Sequence, residues 1–213
     1  MIMRNIKSVI YIMVLLAVYG CQQNRFDGFT VNGEISSADG STLYLDWLGI
    51  NSIQTVDSVV LDPSGEFSFR QPRPESYDFY RLRLDNQVIN LSVDSTETIT
   101  VKADKSSMGT GYEVTGSENC AVLKSLVLAQ MNIQSEINDM VAKSGPETGI
   151  LAQRVNEKVD IFKSDICNNY IFSCPDKPCA YYALFMRINA TPLFRPQESR
   201  QDAKCFASVA TVM

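Results

Sequence analysis

The sequence predicts an α+β protein in which an N-terminal antiparallel β-sandwich is followed by a C-terminal helical region. Three observations carry this expectation. Between Phe29 and Val114 apolar residues alternate with polar ones, the period of strands with one buried face. Turn-forming clusters break that stretch at regular intervals, as in sandwiches and open barrels. After Gly116-Ser117 the apolar spacing lengthens to three or four residues, the period of amphipathic helices.

In chain order, residues 1–20 form a basic, then apolar leader, and residues 21–28 a short polar tether. The sandwich occupies 29–115. Its strands read from Phe29 and Val31, then Leu43, Leu45 and Trp47, then Ile89, Leu91 and Val93, then Ile99 and Val101. Val59-Val60-Leu61, the turn Asp62-Pro63-Ser64-Gly65 and Phe67-Ser68-Phe69 read as a hairpin: proline presets φ and glycine takes the left-handed position. Ala38-Asp39-Gly40-Ser41 and Asp85-Asn86-Gln87 mark two further reversals.

The helical region covers 117–213. Ser117 is placed to cap a helix whose stripe is Val122, Leu126, Ala129, Ile133, Ile137 and Met140. Ser144-Gly145-Pro146-Glu147 breaks it, and a second stripe runs through Leu151, Val155, Val159, Phe162, Ile166 and Tyr170. Two antiparallel helices are expected, then a helix over Ala180 to Asn189 and another from Gln201. The last has an apolar face of Phe206, Val209, Ala210 and Val212 that stops at Met213 without a capping residue, so the region reads as truncated.

Composition excludes several function classes. The chain has 213 residues, 45% of them hydrophobic, which rules out a disordered polymer. Removing residues 1–20 takes away Arg4 and Lys7 but no acid, leaving 17 basic against 24 acidic residues, so nucleic acid is not an expected partner. There is no histidine, hence no Ser-His-Asp triad, no Cys-His pair and no imidazole metal ligand. No cofactor and no metal are expected.

Arg4 and Lys7, the uncharged run Val9 to Val18, and Gly20-Cys21 resemble the lipobox of bacterial lipoproteins. The apolar run is too short to span a bilayer. The resemblance implies cleavage before Cys21, acylation of its thiol (palmitate among the chains), and a protein anchored by lipid to the outer membrane, periplasmic or surface-exposed. Two or three acyl chains at roughly 0.8 kcal/mol per buried CH2 make such an anchor effectively permanent.

The remainder resembles the N-terminal part of envelope lipoproteins that carry the domain of unknown function 4369. The matching pieces, in order, are Phe29-Thr30-Val31-Asn32-Gly33-Glu34-Ile35, Leu43-Tyr44-Leu45, Asp57-Ser58-Val59 to Phe67-Ser68-Phe69, Phe79-Tyr80-Arg81-Leu82, Val114-Thr115-Gly116-Ser117, Ala180-Tyr181-Tyr182-Ala183-Leu184-Phe185 and Phe206-Ala207-Ser208-Val209-Ala210-Thr211. In that family the region commonly precedes a thioredoxin-like thiol:disulfide interchange domain with a Cys-x-x-Cys motif. This chain has no Cys-x-x-Cys, and its one tryptophan, Trp47, lies in an expected strand. Where relatives have an Asn-Pro-Ser-like loop, it has Cys174-Pro175-Asp176-Lys177-Pro178-Cys179.

Cys174 and Cys179 are the candidates for thiol chemistry. Four residues separate them, so they suit a small disulfide worth roughly 2 kcal/mol in loop entropy. The alternatives are a structural staple, a coincidental pair of thiols, or a catalytic pair. Cys120, Cys167 and Cys205 lie beside apolar helix stripes and read as small buried hydrophobes. Tyr77, Phe79 and Tyr80 with Arg81 and Arg83 line either a sugar or peptide groove or, by alternation, half core and half solvated face. Glu34, Asp57, Glu66 and Asp94 fall on different strands, and no carboxylate pair is assignable from them. Three function classes emerge: a non-catalytic binding or positioning module, with a redox or uptake system as partner; a surface binder of peptides or glycans; and an enzyme using Cys174 and Cys179.

Overall fold

A computed structural model of the chain describes residues 26–49, 52–143 and 148–212; the leader, Cys21 and the expected break at 144–147 lie outside them. Eight strands build the sandwich: β1 Gly28–Ser36, β2 Thr42–Leu48, β3 Ile53–Val60, β4 Glu66–Pro72, β5 Asp78–Leu84, β6 Gln87–Val93, β7 Thr98–Asp104 and β8 Glu113–Thr115. One sheet has the order β4-β1-β7-β8 and the other β3-β2-β5-β6. All neighbours are antiparallel except β1 and β7, which run parallel.

Alternation decides which face is inside. Phe29, Val31 and Ile35 of β1, Leu43 and Leu45 of β2, Leu82 and Leu84 of β5, and Ile89, Leu91 and Val93 of β6 are fully buried between the sheets. Each such side chain contributes on the order of 2 kcal/mol when removed from water, so this interior is what holds the sheets together.

The hairpin expected at residues 59–69 is not one. β3 and β4 belong to different sheets, and Asp62-Pro63-Ser64-Gly65 carries the chain across the sandwich. The turn itself has the expected chemistry: Gly65 sits at φ 68° and donates to the Asp62 carbonyl at 2.9 Å, and the Ser64 amide donates to the Asp62 carboxylate at 2.9 Å. What diverts the strand is packing. Leu61 is 1% exposed and drops into the core, while the Gly65 carbonyl accepts from Ile35 of β1 in the opposite sheet at 2.9 Å. The Ala38–Ser41 reversal likewise crosses between sheets, from β1 to β2, whereas Asp85-Asn86 closes a true hairpin between β5 and β6.

Helix α1 spans Glu118–Ala142, capped by the Ser117 side chain, which accepts from the Cys120 amide at 3.3 Å. Cys120, Leu123, Leu126, Ile133 and Ile137 are its buried face. Helix α2, Thr148–Ile166, runs directly into a π-helical stretch, Cys167–Phe172. Helix α3 is Pro178–Leu184, with proline in the first turn where its missing N–H leaves no intrahelical bond unmade. The helix expected to Asn189 therefore ends early: Asn189 and Ala190 take φ 47° and 63° and turn a two-residue strand, Arg187–Ile188, back on Thr191–Pro192. Helix α4, Arg200–Ala210, is capped by Ser199 and buries Asp202, Cys205 and Val209.

Cys167 and Cys205 are buried as expected, but as a disulfide that joins the π-helical stretch to α4. Closing that 38-residue separation is worth about 4 kcal/mol in loop entropy. Beside it Asp202, 1% exposed, accepts from Lys163 Nζ at 2.7 Å and from the Arg195 amide at 2.6 Å. Burial would raise its carboxyl, yet those bonds and the Lys163 charge hold it below its ordinary value.

Candidate functional site

Strand β5 serves two faces. Tyr80 points inward, 7% exposed, with its ring 4.8 Å from Phe29. Phe79, one residue earlier, points outward and stacks on Tyr181 of α3, centroids 6.1 Å apart at 22°. Tyr77 lies 6.0 Å from Phe79 and 6.2 Å from Tyr181; Tyr182 lies 6.1 Å from Phe79. The rings continue through Phe185, 5.0 Å from Tyr181, to Phe206 of α4 at 5.9 Å. Such pairs contribute roughly 0.5–1.5 kcal/mol each beyond area burial.

Tyr77, Phe79, Tyr181, Tyr182 and Phe185 wall a groove of about 1280 Å³ between sandwich and helices, into which Trp47, Asp78, Gln130, Asp176 and Arg187 also face. Phe185 is 58% exposed, high for a phenylalanine. Tyr182 is fixed from behind, its hydroxyl accepting from Asn90 of β6 at 3.3 Å. Burial raises the Asp78 carboxyl, opposed by a hydrogen bond from Trp47. Burial also raises Tyr77 and Tyr182. The groove thus presents apolar ring faces with hydroxyl, carboxylate, amide and guanidinium groups among them.

Of the residues singled out from sequence, Tyr77 and Phe79 line the groove. Arg81 and Arg83 do not: their Nε atoms hold Asp46 of β2 at 2.9 and 2.8 Å, and Arg83 lies 4.2 Å from the Tyr44 ring. Asp46 is 1% exposed and also accepts from Thr55 at 2.7 Å. Burial pushes its carboxyl up, but the bonds from Arg83, Thr55 and Arg81 prevail and lower it to about 2. Sequence reasoning misses this cluster; the available signal is Arg-x-Arg on one strand and a lone acid in the outward phase of another. Glu34 and Glu66 are cross-strand partners, both exposed. Asp57 lies opposite the core residue Leu45, and Asp94 accepts from Asn119 at 2.8 Å.

Cys174 and Cys179 stand as thiols with Sγ atoms 3.6 Å apart. Cys174 is half-buried and donates to the Tyr170 carbonyl at 3.3 Å; Cys179 is 5% exposed, and burial, reinforced by Cys174, pushes its thiol up to about 12. Among the described residues no group of three histidine, cysteine or acidic side chains is arranged to hold a metal, and no helix is long and apolar enough to cross a membrane.

Residues 29–123 match the model of a domain of unknown function, DUF4369, a stretch that covers the sandwich from Phe29 and the first turns of α1. Tyr181, Tyr182 and Phe185 lie beyond it, and the groove is shared between the matched domain and the helices C-terminal to it. No curated protein matches the chain. Among solved structures, (S)-allantoin synthase aligns at TM-score 0.29 and 9% identity, over 44% of this chain and 45% of that one. The chain thus spans under half of that protein's length, and so slight a likeness says nothing of function.

Proposed function

We propose that this protein is a non-catalytic binding module of the cell envelope, held to a membrane by acyl chains on Cys21, that takes an extended peptide or glycan along its aromatic groove. One observation carries the reading: a continuous run of rings from Tyr77 to Phe185 lining about 1280 Å³, with Phe185 largely in solvent. Flat aromatic faces bind sugar rings and peptide side chains with little loss of conformational entropy, since each ring has few rotatable bonds. An enzyme working through Cys174 and Cys179 has less support, because the pair lacks the Cys-x-x-Cys spacing and Cys179 is buried, which disfavours its thiolate.

Trp47 is the sole tryptophan and faces the groove, so its emission reports occupancy directly. Titration with defined peptides and oligosaccharides should produce a saturable change for one class. Phe185→Ala should weaken that binding by about 2 kcal/mol, roughly 30-fold in Kd, without loss of fold. Emission unmoved by every ligand would reject the groove as a binding site. For the anchor, mass spectrometry of the native protein should find Cys21 as an acylated N-terminus; a free thiol or a retained leader refutes that part.

A further inference from the structure

We infer that Cys174 and Cys179 form a reversible disulfide that sets the rigidity of the groove wall, an inference that rests on the groove reading above. The pair brackets the segment that builds this wall. Asp176, between the two cysteines, faces the groove, and Cys179 lies in the first turn of α3, which carries Tyr181 and Tyr182. The thiols are already in contact at 3.6 Å, and bonding requires them to close to about 2.05 Å. The loop between is tightly folded, with the Lys177 amide on the Cys174 carbonyl and the Ala180 amide on the Lys177 carbonyl, each at 3.0 Å. Behind the groove a second pair is already bonded: Cys205, joined to Cys167, neighbours Phe206, which meets the groove residue Phe185 edge-on. With both pairs closed, the aromatic helix is clamped at its start and against its far neighbour.

The two thiols have distinct roles. Cys174, the more accessible, attacks a disulfide donor such as a glutathione disulfide as its thiolate, forming a mixed disulfide and releasing one thiol. Cys179 then loses its proton and attacks the Cys174 sulfur, releasing the second thiol. Two protein thiols are oxidised, one donor disulfide is reduced, and reduction reverses both steps.

The test uses the full chain with oxidised, then reduced glutathione. Peptide mapping should give a Cys174–Cys179 link that reduction removes while Cys167–Cys205 persists. Amide hydrogen exchange over residues 180–186 should slow on the order of tenfold in the linked state. Cys179→Ser should trap glutathione on Cys174, and Cys174→Ser, or Cys174→Ala if that variant folds poorly, should abolish both the link and the slowing. Thiols that remain alkylatable, or a link that leaves exchange over 180–186 unchanged, would overturn the inference. Trp47 emission unmoved by ligands in either redox state would instead defeat the groove reading and leave the disulfide result standing.

Discussion

Replacing Asp46 by asparagine should destabilise the protein at neutral pH by an amount that shrinks as the solution is acidified. The carboxylate is buried against Arg81 and Arg83 and titrates at about 2 rather than 3.8. A carboxyl whose folded value is depressed adds stability above its unfolded value, and loses it as pH falls through the folded one. At about 1.4 kcal/mol per pKa unit, Asp46 contributes about 2.5 kcal/mol at pH 7. The same linkage leaves roughly half of that at pH 3. Asparagine is nearly isosteric with aspartate and uncharged, so the Asp46→Asn variant imitates the protonated form and the two proteins converge in acid.

The assay is urea unfolding of both proteins at several pH values between 7 and 3, followed by far-ultraviolet circular dichroism, because Trp47 adjoins the mutated residue and its emission would respond locally. Other depressed carboxyls, among them Asp104 held down by Ser106 and Asp202 by Arg195 and Lys163, are present in both proteins and cancel in the difference. A gap below about 0.5 kcal/mol at pH 7, or one that stays constant down to pH 3, would refute the account of Asp46 as an ion-paired carboxylate.

Three further substitutions probe the sandwich. Gly65 and Gly40 both have positive φ, 68° and 71°, but a Cβ on Gly65 would lie 2.2 Å from the Ile35 carbonyl oxygen while one on Gly40 meets nothing within 4 Å. Gly40→Ala should therefore cost about 1 kcal/mol of backbone strain and Gly65→Ala several, read as the difference in urea midpoints; equal losses would show that the close approach of Gly65 to Ile35 of β1 is unimportant. Strand β3 is an edge of its sheet with Ile53 and Val60 57% and 65% exposed, and Asp57 on the inward face is the charge that discourages pairing with another chain. Asp57→Val should raise self-association in sedimentation velocity, and an unchanged monomer fraction would count against that role.

Local chemistry is legible in the sequence; the choice of partner is not. The period-two stretches place Leu43, Leu45, Ile89, Leu91 and Val93 in the core because alternation alone assigns faces, and Ser117 is the cap because only its hydroxyl precedes the new period. The residues at 62–65 specify a reversal but not which sheet receives the next strand, so the turn is readable and the hairpin expected from it is not formed. That choice is settled by Leu61 entering the core and by Ile35 donating to Gly65, contacts between residues far apart in sequence. The Cys167–Cys205 bond is hidden for the same reason: both cysteines fit their helical stripes as plain hydrophobes, and only the packing of α4 on the π-helical stretch brings them together. For the groove, Tyr77 and Phe79 are visible as candidates, but Tyr181 and Phe185 stand out only as part of a family-like helix.

Because Phe79 faces away from the sandwich core, the sandwich alone is an incomplete surface. Ser92, wholly buried, and Asn90 are covered by Cys120 of α1 and Tyr182 of α3, and Phe79 is covered by rings of α3. Removing the helices would bare Phe79, Tyr77 and the outer face of β6 together, a contiguous patch of the kind that monomers seldom expose. A fragment of residues 26–117 should therefore retain strand-type circular dichroism yet bind 1-anilinonaphthalene-8-sulfonate and associate, whereas Phe79→Ser in the same fragment should reduce both effects. A fragment that stays monomeric and dark to the dye would mean that the outer face of β5 and β6 tolerates water, and the helices would then be an added binding wall rather than a structural cover.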